Sequence, residues 1–472
     1  MNELAYASVA ELAPRLRSRA LSPVELLEDL LARIVRFGVL NAFITVTGAE
    51  AMAQARAAQE EIAAGRYRGP LHGIPVSLKD LIDTQGIRTT CGSRILADRI
   101  PVEDATVAAR LREAGAVLLG KTALHEFAYG VTTNNPHFGP TRNPWHLDRI
   151  PGGSSGGSGA AVASGLGPVS LGTDTGGSIR IPAALCGVVG LKPTYGRVSR
   201  HGVFPLAWTL DHVGPLTRTV EDAALVLQAI AGPDEKDPST LGYPAPDLGA
   251  GLRRPVAGMR VGILADEFHR QVSGDVAERF QAALEVLAGL GIRLEEVQFP
   301  RPSEARTAAL AVILAEAASV HERWLNERPQ DYGTETLDLL RRGQLLSAVQ
   351  YLRAQKVRAL MLREVGDLLT SRTALVLPTV PVVAPAIGQR ALTVGGQSGE
   401  VRGALTQLVR LVNFVGLPAV SVPCGFGEDG LPVGLQVVGR PMDESSVLAL
   451  ALAFERATPW HQQHPPEPAR MN

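Results

Sequence analysis

The sequence predicts an α/β fold. Three observations carry that expectation: short β-branched runs bounded by glycine and proline, capped helical stretches between them, and a strand, helix, strand order that recurs along the chain. Gly73-Ile-Pro-Val-Ser-Leu78 reads as a buried strand, residues 104–114 as a helix and Ala116-Val-Leu-Leu119 as the next strand. The alternation restarts with a strand over 260–264 and a helix over 275–290.

The N-terminal elements have their own signals. Ser8-Val-Ala-Glu11 and Ser22-Pro-Val-Glu25 both have the pattern of a capping box, the second with proline at the first helical position, so two helices should follow. Asn41-Ala-Phe-Ile-Thr-Val46 reads as a strand and 50–65 as a helix. Residues 232–255, rich in Pro, Gly and Asp, read as a loop, and 304–371 as strongly helical with little turn punctuation. Strands return at 374–378 and 419–422. There is no internal repeat or low-complexity tract.

Composition narrows the function classes. With 472 residues, 45% hydrophobic, 20% charged and a net charge of −1, the chain can bury a large core and has no electrostatic bias toward nucleic acid or membrane. Length alone suggests two or three domains. No run of 18 uncharged apolar residues exists, and Met1-Asn-Glu-Leu lacks a basic segment followed by an apolar one, so the cytoplasm is the expected location. Cys91, Cys186 and Cys424 are far apart, which indicates buried structural thiols and neither a disulfide framework nor a metal site. No cofactor is implied.

Two serine-bearing glycine runs hold the chemistry. Pro151-Gly-Gly-Ser154-Ser155-Gly-Gly-Ser158-Gly is followed by Gly172-Thr-Asp174-Thr175-Gly176-Gly177-Ser178-Ile-Arg180, which sets Ser154 and Ser178 24 positions apart. Serine needs a base to attack a carbonyl at neutral pH. Lys79, at the end of the buried 73–78 strand, can be that base once burial lowers its pKa. A second serine can pass the proton between them. Glycines before the nucleophile let backbone N–H groups face a developing oxyanion. A Gly/Ser run alone reads equally as a linker, yet the apolar segments Ala160-Ala-Val-Ala163 and Pro168-Val-Ser-Leu171 adjoin this one. A phosphate loop is disfavoured, since neither Gly-x-x-x-x-Gly-Lys-Ser/Thr nor a strand followed by Gly-x-Gly-x-x-Gly occurs here. Only five of the 46 basic residues are lysines, which sets Lys79 apart from ordinary surface charge. His72, His125, His201 and His212 lie near the motifs, but no nucleophile elbow in a strand, turn, helix setting accompanies them.

These stretches resemble the amidase signature family, serine amidases with a Ser-cisSer-Lys triad. The matches include Gly73-Ile-Pro-Val-Ser-Leu-Lys-Asp80, Gly139-Pro-Thr-Arg-Asn-Pro144, both serine runs, Cys186-Gly-Val-Val-Gly-Leu-Lys-Pro-Thr194, Asp211-His-Val-Gly-Pro215, Gly416-Leu-Pro-Ala-Val-Ser-Val-Pro423 and Leu431-Pro-Val-Gly-Leu-Gln436. The resemblance implies one large α/β/α domain with a mixed central β-sheet over 66–472, an N-terminal helical region over 1–65, and 304–371 as a helical cover of the substrate pocket. It makes Ser178 the nucleophile, Lys79 the base and Ser154 a bridging serine in a cis peptide. The N–H groups of Thr175, Gly176, Gly177 and Ser178 would form the oxyanion hole, with Ser155, Ser158, Asp174 and Arg180 as supports.

The expected activity is hydrolysis of a carboxylic amide through a Ser178 acyl-enzyme. Ile181 stands where some relatives selective for carboxylate-bearing amides place arginine, which points to an uncharged or hydrophobic acyl group. Tyr129, Val131 and Thr132 are further candidates for the pocket. Carbamates or esters form the same acyl-enzyme. One branch of the family is the glutamine-hydrolysing component of a glutamyl-tRNA amidotransferase, and residues 174–197 resemble it closely. Where that branch has an aspartate, this chain has Thr406, followed by Gln407-Leu-Val-Arg410, and Arg341 and Arg342 fall out of register with its helical-block arginine. A stand-alone amidase is therefore expected. Its partner would be a small-molecule amide, with no nucleic acid or membrane, and a homodimer stays open as an alternative to a monomer.

Overall fold

A computed structural model of the chain describes residues 4–265 and 271–467. Its strands in chain order are β1 (Phe43–Val46), β2 (Pro75–Lys79), β3 (Val117–Thr122), β4 (Asn134–Asn135), β5 (Gly139–Pro140), β6 (Val169–Asp174), β7 (Val189–Lys192) and β8 (His212–Thr217). β9 (Arg260–Leu264), β10 (Arg293–Val297), β11 (Ala374–Pro378), β12 (Ala391–Val394), β13 (Gln397–Glu400), β14 (Ala419–Phe426) and β15 (Pro432–Gly439) follow. Eleven of them form one sheet in the order β1-β3-β2-β6-β8-β7-β14-β15-β11-β9-β10.

The sheet is mixed, as the family resemblance implies. β2 runs parallel to both β3 and β6, whereas β6 with β8 and β14 with β15 are antiparallel. Every residue of β6, β8 and β15 is buried, because helices pack on the sheet and leave no solvated alternate face. Helix Gly156–Ala163 packs on β6, helix Arg180–Cys186 on β7 and β15, and helix Glu444–Arg456 on β14 and β15.

Both N-terminal capping boxes form. Ser8 Oγ accepts from the Glu11 N–H while Glu11 accepts from the Ser8 N–H, starting helix Val9–Arg17; Ser22 and Glu25 repeat this at Pro23–Arg36. β1 then pairs with β3, so the N-terminal region contributes an edge strand to the main sheet.

The stretch read as one helical block is four helices: Pro302–Val320, Glu322–Glu327, Thr334–Gln344 and Ala348–Thr370. Its breaks were concealed by the uniformly helix-prone composition, although Ser347 and Gln350 form a third capping box. From its first helix Ile313 approaches Gly176, and Glu316 accepts from the N–H and hydroxyl of Thr209. The three cysteines are buried and unpaired. Among the described residues no helix is long and apolar enough to cross a membrane, and no metal-binding cluster occurs.

Candidate active site

Strand β2 delivers Lys79 to the sheet's interior, where the side chain is wholly buried. Its Nζ lies 2.7 Å from Ser154 Oγ and 2.8 Å from Thr173 Oγ1. Burial lowers the ammonium pKa to about 7, against the opposing pull of Asp174 and Asp211, so a large neutral fraction is present at physiological pH. The Gly153–Ser154 peptide is cis, in keeping with the family resemblance.

Two serine loops are laced together around this lysine. The Ser155 N–H donates to the Ser178 carbonyl at 3.2 Å, while Ser155 Oγ donates to the Thr173 carbonyl and accepts from the Thr173 N–H. Ser158 sits within helix Gly156–Ala163 and bonds Thr122 Oγ1 at 2.8 Å and the Leu171 carbonyl at 3.3 Å. Both serines therefore tie the loop to strands β3 and β6. Lys79 and Ser154 have no exposed surface, whereas Ser178 keeps 6%, making it the member of the set that an incoming molecule can reach.

Asp174 and Arg180 build the floor beneath Ser178. Arg180 Nε and Nη2 each lie 3.0 Å from the Asp174 carboxylate, and both side chains are fully buried. Arg180 also reaches Gln436 Oε1 and Asn413 Oδ1, at 2.5 and 2.6 Å. Burial alone would raise the Asp174 pKa, but Arg180 beside it and the Asn413 amide hold it well below the ordinary carboxylate range. Asp211 accepts from Thr175 Oγ1 at 2.6 Å, and His212 Nδ1 lies 3.1 Å from the Asp174 carbonyl.

One expectation is corrected here. The Gly177 N–H donates to Asp174 Oδ1 at 2.7 Å, which removes it from the set of free oxyanion donors. Gly177 is required for a different reason: its φ is +119°, and a Cβ there would lie 2.3 Å from Val409 Cγ2. The donors left from that set are Thr175, Gly176 and Ser178.

The predicted pocket residues fall into two groups. Ile181 and Val131 join one buried apolar cluster with Val409 and Leu405. Tyr129 lies beneath the Arg402 guanidinium, 5.0 Å from its ring centroid, and Thr132 lines a cleft of about 550 Å³ that also borders Arg402. Arg410 stands beside Gly176. Beside the apolar Ile181, from which an uncharged or hydrophobic acyl group is expected, two arginines, Arg402 and Arg410, enter the region.

Sequence reasoning missed Asn413 outright and gave Thr173 and Arg410, both inside quoted stretches, no role in the site. Gln436 and Asp211 lay inside quoted motifs, but no role for them could be read there. Asn413 is 239 positions from the Asp174 it binds, a separation that only the folded chain closes.

The Amidase family model matches residues 25–448. The chain belongs to the amidase signature family. Among members of this family, the chain is 42% identical to the A component of the glutamyl-tRNA(Gln) amidotransferase of Moorella thermoacetica, over 98% of this chain and 99% of that one. It is similar to a solved structure described as an unexpected vestigial protein complex that reveals the evolutionary origins of an s-triazine catabolic enzyme (38% identity, TM-score 0.92, 95% and 98% of the two chains). The amidase signature fold is shared with the peptide amidase of Stenotrophomonas maltophilia (32% identity, TM-score 0.85, all of both chains).

Proposed function

We propose that this protein hydrolyses a carboxylic amide through an acyl-enzyme on Ser178. The observation that carries the reading is the 2.7 Å contact between Lys79 Nζ and Ser154 Oγ in a fully buried setting that leaves the lysine largely able to accept a proton. Neutral Lys79 takes a proton from Ser154 as Ser154 takes one from Ser178, and the Ser178 oxygen bonds to the carbonyl carbon. The N–H groups of Thr175, Gly176 and Ser178 receive the oxyanion. The proton returns by the same path to the leaving nitrogen, the C–N bond breaks, and water releases the acid in a second pass. Carbamates and esters fit the same route.

Labelling with a fluorophosphonate tests the nucleophile. Wild type should be modified at Ser178, Ser178→Ala should be neither labelled nor active on any amide, and labelling elsewhere with activity retained in Ser178→Ala refutes the reading.

A second reading is favoured by the 42% identity, over almost the whole chain, to the amidotransferase component: glutamine hydrolysis, with the ammonia used by a larger assembly. Its mark would be glutaminase activity that appears only when partner proteins are added. Turnover of other amides by the purified chain supports the first reading instead.

A further inference from the structure

Arg410 reaches the oxyanion loop without a counter-charge. Its Cγ and Nε each lie 3.7 Å from the point a Cβ would occupy on Gly176, two residues before the nucleophile. Nη2 donates to Thr406 Oγ1 at 2.6 Å, but Nε is shut off from solvent with no hydrogen-bond partner. Among the described residues, the ionisable side chains that bear on Arg410 are Arg402 and Arg306, which oppose its charge, and Tyr129, which weakly favours it; no carboxylate is among them. Together with burial the two arginines pull its guanidinium down to about 9, which still leaves it charged at neutral pH. Below Arg402, the Tyr129 hydroxyl is likewise buried with no hydrogen bond of good geometry, and burial raises its pKa against the pull of that arginine.

Such an arrangement is unfavourable in the free protein. Arg410 is half-buried, so its guanidinium keeps some contact with solvent, but the shielded Nε goes without the hydrogen bond that water would give it, and the like charges nearby add to that cost. The nearby carboxylates do not relieve it: Glu335, Asp338 and Glu400 border the cleft with exposed side chains, and Asp338 is paired with Arg342 at 2.7 Å. Thr406, which donates its own hydroxyl to the Arg402 carbonyl, brings no negative charge.

We propose that Arg410 binds a carboxylate on the acyl part of the substrate, so that this enzyme acts on anionic amides, a carboxylate and a primary amide joined by a short spacer, and not on zwitterions. The proposal rests on the Ser178 reading above. The apolar side chains of Ile181 and Val131 suit the spacer's methylenes, and Gly176 and Ser178 are at most about 7 Å apart along the chain, which keeps the spacer short. With no described carboxylate beside Arg410, an α-ammonium would meet only like charge.

The test compares succinamate with butyramide, its neutral counterpart of similar size, and with glutamine. The expected result is a kcat/KM for succinamate at least about tenfold above the other two, in line with a charge-assisted hydrogen bond. That ratio should collapse toward one in Arg410→Met and recover in part in Arg410→Lys. Should Arg410→Met fail to fold, Thr406→Asp, which sets a carboxylate against Nη2, should abolish the same ratio. Butyramide or glutamine used as well as succinamate by wild type, or a ratio that survives these substitutions, overturns the proposal. Calorimetry on Ser178→Ala asks the question without turnover: binding of succinamate at least about tenfold tighter than butyramide supports it, and equal or absent binding overturns it. Loss of fluorophosphonate labelling at Ser178 would instead strike the acyl-enzyme reading.

Discussion

The two sides of the oxyanion loop treat buried charge in opposite ways. On the floor, Asp174 receives Arg180, Asn413 and the Gly177 N–H, while Arg180 is completed by Gln436 and Asn413. On the pocket side, Arg410 Nε is buried without a hydrogen bond and the Tyr129 hydroxyl without one of good geometry. Folding selects against unmet polar groups, so two of them beside a floor whose charged pair, Asp174 and Arg180, has every side-chain polar atom bonded mark the face whose partner arrives from outside. The floor holds the loop's shape; the pocket side is completed by substrate.

Lys79 belongs to both descriptions, since its contacts are neutral hydroxyls and its charge is unmet. Replacing it with methionine should lower kcat/KM by about 10²–10⁴-fold, the usual contribution of a general base, as measured on any amide the wild type turns over. The same change should raise stability at neutral pH in denaturant titrations. The folded-state pKa of about 7 lies below the unfolded value near 10.4, so the native state binds fewer protons between those limits; the stability that Lys79 withholds at pH 7 is regained as pH rises toward 10. An active but destabilised Lys79→Met protein would dissolve the contrast drawn here.

Arg180→Met should act on stability first. It leaves the Asp174 carboxylate buried without its cation, a loss of about 3–5 kcal/mol in equilibrium unfolding. Asp174 and Arg180 were legible as supports because they flank the nucleophile within one motif, and Ser155 and Ser158 because they lie in the run that carries Ser154. Asn413 and Gln436 complete the pair from strands and helices more than 200 positions away, and no local pattern announces such a contact. The capping boxes and the strand carrying Lys79 were readable because their causes are local. Arg410 was visible as a residue, but whether a carboxylate would stand beside it depends on the packing of remote helices. The apolar Ile181 therefore gave a partial account of the pocket.

The pH dependence separates the two sides further. The kcat/KM profile should rise along an acidic limb with a midpoint near 7, as Lys79 loses its proton, by tenfold per unit below that point. Arg410 stays charged throughout this range. The limb should accordingly appear for charged and neutral amides alike. A limb seen with succinamate only would assign it to the pocket and remove Lys79 as the titrating base.

The smallest effect is expected at Tyr129. Its hydroxyl is buried beside Arg402 with no hydrogen bond of good geometry, so Tyr129→Phe removes a poorly met polar group and adds no cavity of consequence. Thermal unfolding should be unchanged or shifted upward by no more than about 1 kcal/mol, whereas KM for the preferred amide should rise if the hydroxyl meets the substrate. Removal of a satisfied group on the floor cannot give that combination, because there the loss of a partner always strands another buried atom. A marked destabilisation in Tyr129→Phe with KM unchanged would show that the pocket side is held together by the same kind of network as the floor.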